Sequence, residues 1–156
     1  MKRKSVLVCI TVSLVFAFSV SAFSQVETLA SPQQTIASLF KSMYDGDGQL
    51  AKNVFADNAI LHSVYRKKDG EQVVNKGDVT KFIEAIGSPH EEVWDERVTN
   101  LTVKIDGDLA QAWMDYSFYI DDKFSHCGVN AMHLVLKDGA WRIFQIVDTR
   151  RKSDCN

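Results

Sequence analysis

The stretch "EVWDERVTNLTVKIDGDLAQAWMDYSFYIDDKFSHCGVNAMHLVLKDGAWRIFQIVDTRR", Glu92 to Arg151, decides the fold. It is rich in β-branched and aromatic residues, and it is cut by "DGD" (106–108), "DDK" (121–123) and "KDG" (137–139). Each break is a tight-turn signal, because Asp and Gly tolerate the left-handed backbone that short hairpins demand. The pattern predicts four long strands in an antiparallel meander.

Upstream of it the period changes. "SPQQTIASLFKSMYDGDG" (31–48) predicts a helix with Ser31 as N-cap, Pro32 in the first turn, and Ile36, Leu39, Phe40 and Met43 on one stripe. "QLAKNVF" (49–55) predicts a second, short helix. "DNAILHSVYRK" (57–67) and "EQVVN" (71–75) read as a strand and a short partner. "KGDVTKFIEAIGSP" (76–89) predicts a third helix, stopped by Gly87 and Pro89. Helices followed by a meander, without internal repeat or linker, predict one α+β domain with helices on one face of the sheet.

The first residues stand apart. "MKRK" is a basic n-region, "SVLVCITVSLVFAFSV" (5–20) an apolar h-region, and Ala22 and Ser24 occupy the small-residue positions before Gln25. Residues 1–24 therefore read as a signal peptide, 25–31 as a short lead, and 32–156 as the domain. The competing reading of the same run is a membrane anchor. The expected location is the periplasm or the secreted medium, with no membrane attachment after cleavage. Cleavage lowers Lys plus Arg from 18 to 15 against 20 Asp plus Glu, leaving a net charge of −5. That balance argues against nucleic acid as a partner.

Cys9 leaves with the signal, so Cys127 and Cys155 remain. An even count in an exported chain points to a disulfide, with two free thiols as the alternative. No histidine pair has helical ligand spacing and no CxxC occurs, so no metal is expected. His126 and Cys127 are strand neighbours facing opposite ways, which excludes a Cys–His nucleophile. "DGDG" and "KDG" are turns, not phosphate cradles, and no cofactor is expected.

The order of elements and particular phrases carry a resemblance. "VFADNAIL" (54–61) and "GAWRIFQIVDTRR" (139–151) resemble the nuclear-transport-factor-2-like superfamily, which includes ketosteroid isomerases and SnoaL-type cyclases. "SPHEEVWDERV" (88–98), "FSHCGVNAMHL" (124–134) and "WRIFQIVDTRR" (141–151) resemble its exported lumazine-binding branch. The resemblance spans about residues 32–155. It implies a cone-shaped curved antiparallel sheet with about three N-terminal helices packed on its concave face, and a pocket between them. It does not carry the isomerase mechanism over, because Ser63 stands where that mechanism needs a carboxylate and Leu39 where it needs a tyrosine.

Hairpin counting then places a site. A two-residue turn at Asp121–Asp122 sets Ser117 opposite His126, Asp115 opposite Gly128 and Trp113 opposite Asn130, with Tyr119 nearby. A turn at Asp138–Gly139 adds Met132, Leu134, Trp141, Ile143 and Val147 to that face. The expected ligand contacts are Trp113, Ser117, Tyr119, His126 and Asn130, with Gly128 leaving room for the ligand to reach the backbone. Trp94 reads as a sheet-packing aromatic or as a surface on which a flat ligand stacks. Asp115 beside His126 would make the weak candidate acid–base pair. The opposite face, with Ala112, Met114, Tyr116, Phe118, Val129, Ala131, Phe144 and Ile146, is the alternative helix-packing side. Asp148, Arg150 and Arg151 read as a solvated strand end, with a salt-bridged strand end near the cone mouth as the alternative. Two apolar faces predict a sheet covered twice, by helices and by a second subunit. The expected function is binding of a small, flat heteroaromatic ligand. The alternatives are a SnoaL-like isomerase, cyclase or hydrolase using His126 and Asp115, and a structural module without ligand.

Overall fold

The structure is a computed structural model that describes residues 30–155. The expected signal peptide (1–24) and most of the lead (25–31) lie outside the described residues.

Helix α1 (Pro32–Asp45) begins where the sequence signals it. Ser31 Oγ accepts the Gln34 backbone N–H at 3.2 Å and Pro32 opens the first turn, so one orphan donor is capped and another is absent. Gly46, at φ 68°, ends the helix, and the Asp47 N–H closes on the Ser42 carbonyl at 2.9 Å. Its buried face mixes Ile36, Leu39 and Met43 with the small Thr35, Ser38 and Ser42. Thr35 Oγ1 donates to the Trp141 carbonyl at 3.2 Å and so ties the helix to the sheet. Helices α2 (Gly48–Val54) and α3 (Val79–Gly87) are capped by Asp47 and Asp78.

The strands are β1 (Phe55–Arg66), β2 (Gln72–Gly77), β3 (Trp94–Asp106), β4 (Leu109–Ile120), β5 (Lys123–Lys137) and β6 (Ala140–Arg150). They form one curved sheet in the order β2-β1-β6-β5-β4-β3. The α+β class and the helices on one face are as expected. The sheet is mixed, however, and not wholly antiparallel. The chain crosses from β2 to the far edge, meanders back, and delivers β6 alongside β1 in parallel. The core lies between α1, α2 and the sheet, around Leu39, Val54, Met114, Met132, Leu134 and Ile143.

Two bulges overturn the predicted register. Ile120 pairs with Lys123 across the expected two-residue turn, but Phe118 then pairs with His126, leaving Ser125 without a partner. From there Ser117 lies opposite Cys127, Tyr116 opposite Gly128, and Met114 opposite Asn130. A second bulge, at Phe144, sets Met132 opposite Ile146 and Asn130 opposite Asp148. Side chains alternate along a strand, so each inserted residue flips everything beyond it to the other face. The helix-facing side therefore combines half of each predicted face: Met114, Tyr116 and Phe118 with His126, Asn130 and Met132. Trp113, Asp115, Ser117 and Tyr119 lie on the outer side, where Trp113 is 54% exposed.

The β5–β6 ladder is broken at one point. The Val129 N–H goes to the Thr149 side chain at 3.0 Å instead of its backbone, and the Thr149 carbonyl accepts the Tyr116 hydroxyl at 2.8 Å. A Cβ on Gly128 would stand 1.8 Å from that carbonyl oxygen and 2.8 Å from the Tyr116 ring. Gly128 thus makes room for strand β6, not for a ligand as the sequence suggested. The ladder resumes at Cys127 and Arg151, whose backbones exchange two 2.9 Å hydrogen bonds. Beside them Cys127 and Cys155 are disulfide-bonded across a separation of 28 residues, which in the chain-entropy model contributes about 3–4 kcal/mol.

Gly128→Ala should destabilise the protein by at least about 3 kcal/mol, because backbone, not a flexible side chain, must move. Urea unfolding at constant pH measures this, and a loss below 1 kcal/mol would contradict the kinked strand.

Candidate functional site

Between the sheet and helices α1 and α3 lies a cavity of about 410 Å³, within the range that holds small organic ligands. Alternation on the strands builds its walls. Leu61 of β1, Phe118 of β4, Met132 of β5 and Ile146 of β6 face Leu39, Phe40 and Met43 of α1 and Phe82 of α3. Trp94 closes one side, and the His90 ring stacks on it with centroids 4.9 Å apart and planes 13° from parallel. His90 Nδ1 sits 2.5 Å from the Glu92 carbonyl, so it must be the donor. That leaves Nε2 buried without a partner among the described residues.

The polar side is built by Glu96, Tyr116, His126, Asn130, Asp148 and Arg150. Asp148, 4% exposed, is fully engaged. It accepts Ser63 Oγ at 2.6 Å and Arg150 Nε at 2.7 Å. The Tyr116 hydroxyl lies 3.4 Å from it but has one proton, which the 2.8 Å bond to Thr149 takes. Burial first, and then the Asp148 charge, push the Tyr116 phenol well above the ordinary tyrosine range. Ser63, the residue found where the isomerases keep their base, thus holds a carboxylate that arrives from β6.

Glu96 is different. One oxygen accepts Asn130 Nδ2 at 2.7 Å, and the other has no hydrogen-bond partner among the described residues. The Glu96 side chain lines the cavity and is half-buried there. Burial raises its pKa from 4.5 to about 7, with the Asp148 charge adding to the rise and the Asn130 bond opposing it. His126 is shifted the other way, first by burial and then by the Arg150 charge, so its imidazole is neutral near pH 7. Its ring lies against Phe118 and Tyr116, and Nδ1 is 3.0 Å from Ser125 Oγ.

Of the expected contacts, His126, Asn130 and Trp94 line the cavity. Trp113, Ser117 and Tyr119 do not. The His126–Asp115 pair is not formed: Asp115 faces outward, where it accepts Asn100 Nδ2 at 2.8 Å. Tyr119 lies under the Arg97 guanidinium, 4.1 Å from its carbon. The sequence reading missed Glu96 and took Asp148 and Arg150 for a strand end, either solvated or salt-bridged near the mouth; the ion pair is what the structure shows. The available signal was that Glu96 alternates with Trp94 and Val98, and Asp148 with Ile146. Among the described residues no group of three His, Cys, Asp or Glu could hold a metal ion, and no helix is long and apolar enough to cross a membrane.

The sequence pattern of the SnoaL-like domain matches residues 33–148. The chain belongs to the SnoaL-like domain family. Solved structures agree on the fold. A Mycobacterium tuberculosis protein of unknown function superposes with a TM-score of 0.61 at 17% identity, over 78% of this chain and 70% of that one. A nuclear-transport-factor-2-like protein from Cytophaga hutchinsonii gives 0.59 at 13% identity, over 76% and 94%. One with a cystatin-like fold from Novosphingobium aromaticivorans gives 0.57 at 15%, over 75% and 77%. No curated protein matches the chain in sequence. The match is to the SnoaL-like domain as a whole and does not extend to the lumazine-binding branch.

Because folded Glu96 holds its proton more tightly than the unfolded chain does, stability falls as pH rises from about 4.5 to about 7 and then levels off. Glu96→Gln keeps the acceptor for Asn130 and removes the titration. Between pH 5 and pH 8 the variant should lose less stability than the parent by on the order of 1–3 kcal/mol, whatever slope other groups such as His126 add to both. Thermal unfolding of both proteins at pH 5 and pH 8 measures the difference, and parallel curves would refute the assignment.

Proposed function

We propose that this SnoaL-like domain is an exported small-molecule-binding protein whose cavity takes a flat, largely apolar ligand. The observation that carries the reading is the cavity itself: about 410 Å³, apolar and aromatic on its walls, with its polar groups gathered on one side. A module that needed no ligand would gain stability by filling that volume with side chains. The ring of Trp94, held by the stacked His90, offers a flat surface for an aromatic ligand.

Trp94 also supplies the test. Binding of a neutral naphthalene or flavin-like ring should change tryptophan fluorescence saturably, with micromolar affinity. Met132→Trp, or Ile120→Trp at the less tightly packed mouth, should abolish that binding while the variant remains folded by circular dichroism. Binding undiminished in a folded, plugged variant would sink the proposal.

The reading includes export by residues 1–24 and pairing of two copies through the outer sheet face. Exposed Trp113, Leu109 and Phe124 support the pairing. Native mass spectrometry of the exported protein should find chains beginning at Gln25, each two protons lighter than the reduced form, associated as dimers. Trp113→Glu should release monomers. A monomer in the unaltered protein would remove the second subunit from the reading.

A further inference from the structure

The cavity opens toward a second, larger hollow. This is an open groove of about 1010 Å³ that shares Leu61, His126 and Arg150 with the cavity. Its charge is one-sided. Arg66, Lys67 and Lys68 reach it from the end of β1, and Arg150, Arg151 and Lys152 from the end of β6; no Asp or Glu lines it. The chain as a whole has net charge −2, so six cations on one groove run against the overall balance.

Two of the six, Lys67 and Arg150, meet a carboxylate, and the other four have none among the described residues. Lys67 pairs with Glu71 at 2.6 Å, Arg66 donates to the Gly70 carbonyl at 2.9 Å, and Arg151 donates to the Asp154 carbonyl at 2.9 Å. Arg150 spends its Nε on Asp148 and keeps both terminal nitrogens available. Lys68 and Lys152 have no ion-pair partner among the described residues. The positive field is felt at the junction, where after burial the Arg150 and Lys152 charges help keep His126 neutral.

The two hollows differ in character, and a ligand that spans them must differ end to end. Inside, most of the wall is apolar, Asp148 is paired with Arg150, and Glu92 and Glu96 are acidic groups that disfavour a carboxylate there. Outside, Lys68 and Lys152 have no ion-pair partner among the described residues, and Arg66 and Arg151 bond only to backbone carbonyls, so their charges remain open to an anion. We infer that the site takes an amphipathic organic acid, its apolar body in the cavity between sheet and helices and its carboxylate in the basic groove at Arg150, Lys152 and Lys68. This rests on the ligand-binding reading above and adds to it the charge and orientation of the ligand. The disulfide fits the same picture, because it clamps the segment that carries Arg151 and Lys152 against β5.

The test uses three probes on the mature protein: 2-naphthoate, its methyl ester and inorganic phosphate. Calorimetry or Trp94 fluorescence follows each one. The carboxylate should bind at least tenfold more tightly than the ester, and the preference should shrink as salt rises. The double variant Lys68→Glu/Lys152→Glu should bring the carboxylate down to the affinity of the ester and leave the ester unchanged. Ile120→Trp should weaken both organic probes. If ester and carboxylate bind equally in the parent protein, the acid is wrong while the cavity reading stands. If neither binds, both fall together. If phosphate binds as tightly as the carboxylate and Ile120→Trp affects neither, the groove is a free-anion site and the spanning ligand is overturned.

Discussion

The polar side of the cavity depends on one close approach: the Thr149 carbonyl against Gly128. A regular antiparallel ladder would carry β6 straight past β5, with alternate residues facing the helices. Here the Thr149 carbonyl turns inward, where the Tyr116 hydroxyl satisfies it at 2.8 Å, and the Thr149 side chain takes over the Val129 N–H. The Val129 N–H and the Thr149 carbonyl, which would otherwise lose their ladder bonds, thus both keep partners. The kink needs a residue without Cβ on β5 and a long aromatic with a polar tip on β4, and the sequence supplies both. It sits between Asp148 and Arg150, which the bulge at Phe144 has already turned toward the helices, and it lets β6 run close enough to β5 to keep both at the cavity.

The site's electrostatics divide inside from outside. Asp148 is held by a hydroxyl and a guanidinium, Glu96 by a single amide, and the two carboxyls consequently differ. One is part of a fixed network, and the other exchanges its proton near neutrality. Outside, cations from two chain segments meet where β1 and β6 run side by side. The parallel pairing brings the ends of both strands to the same edge of the molecule, which an antiparallel pairing would not do.

The sequence revealed the elements better than the faces. Helix α1 was legible from Ser31, Pro32 and the Ile36–Leu39–Met43 spacing, because capping and period are local physics. The hairpin turns were legible for the same reason: Asp121 and Asp138 both adopt the left-handed conformation. The bulges were not. Ser125 and Phe144 are unexceptional in the sequence, and their insertion reflects how the sheet must bend to enclose the helices. A single unseen residue moved Asp115, Ser117 and Trp113 out of the site and brought Tyr116 and Phe118 in. Glu96 escaped notice and Asp148 was read chiefly as solvated because charged residues on strands ordinarily are, and only the third dimension shows what covers them.

The pairing of β1 with β6 also governs the order of events in folding. Ser63 and Asp148, joined by a 2.6 Å bond, lie 85 residues apart, and β1 has no partner except the short edge strand β2 until β6 exists. Contacts of such separation must meet the entropy of closing a long loop before they return any stability. The N-terminal half of the domain therefore cannot complete its sheet until nearly the whole chain is present. A nascent chain lacking its last strand would lose part of the surface on which α1 packs and leave an open strand edge on β1, the condition in which unfinished β-proteins associate with one another.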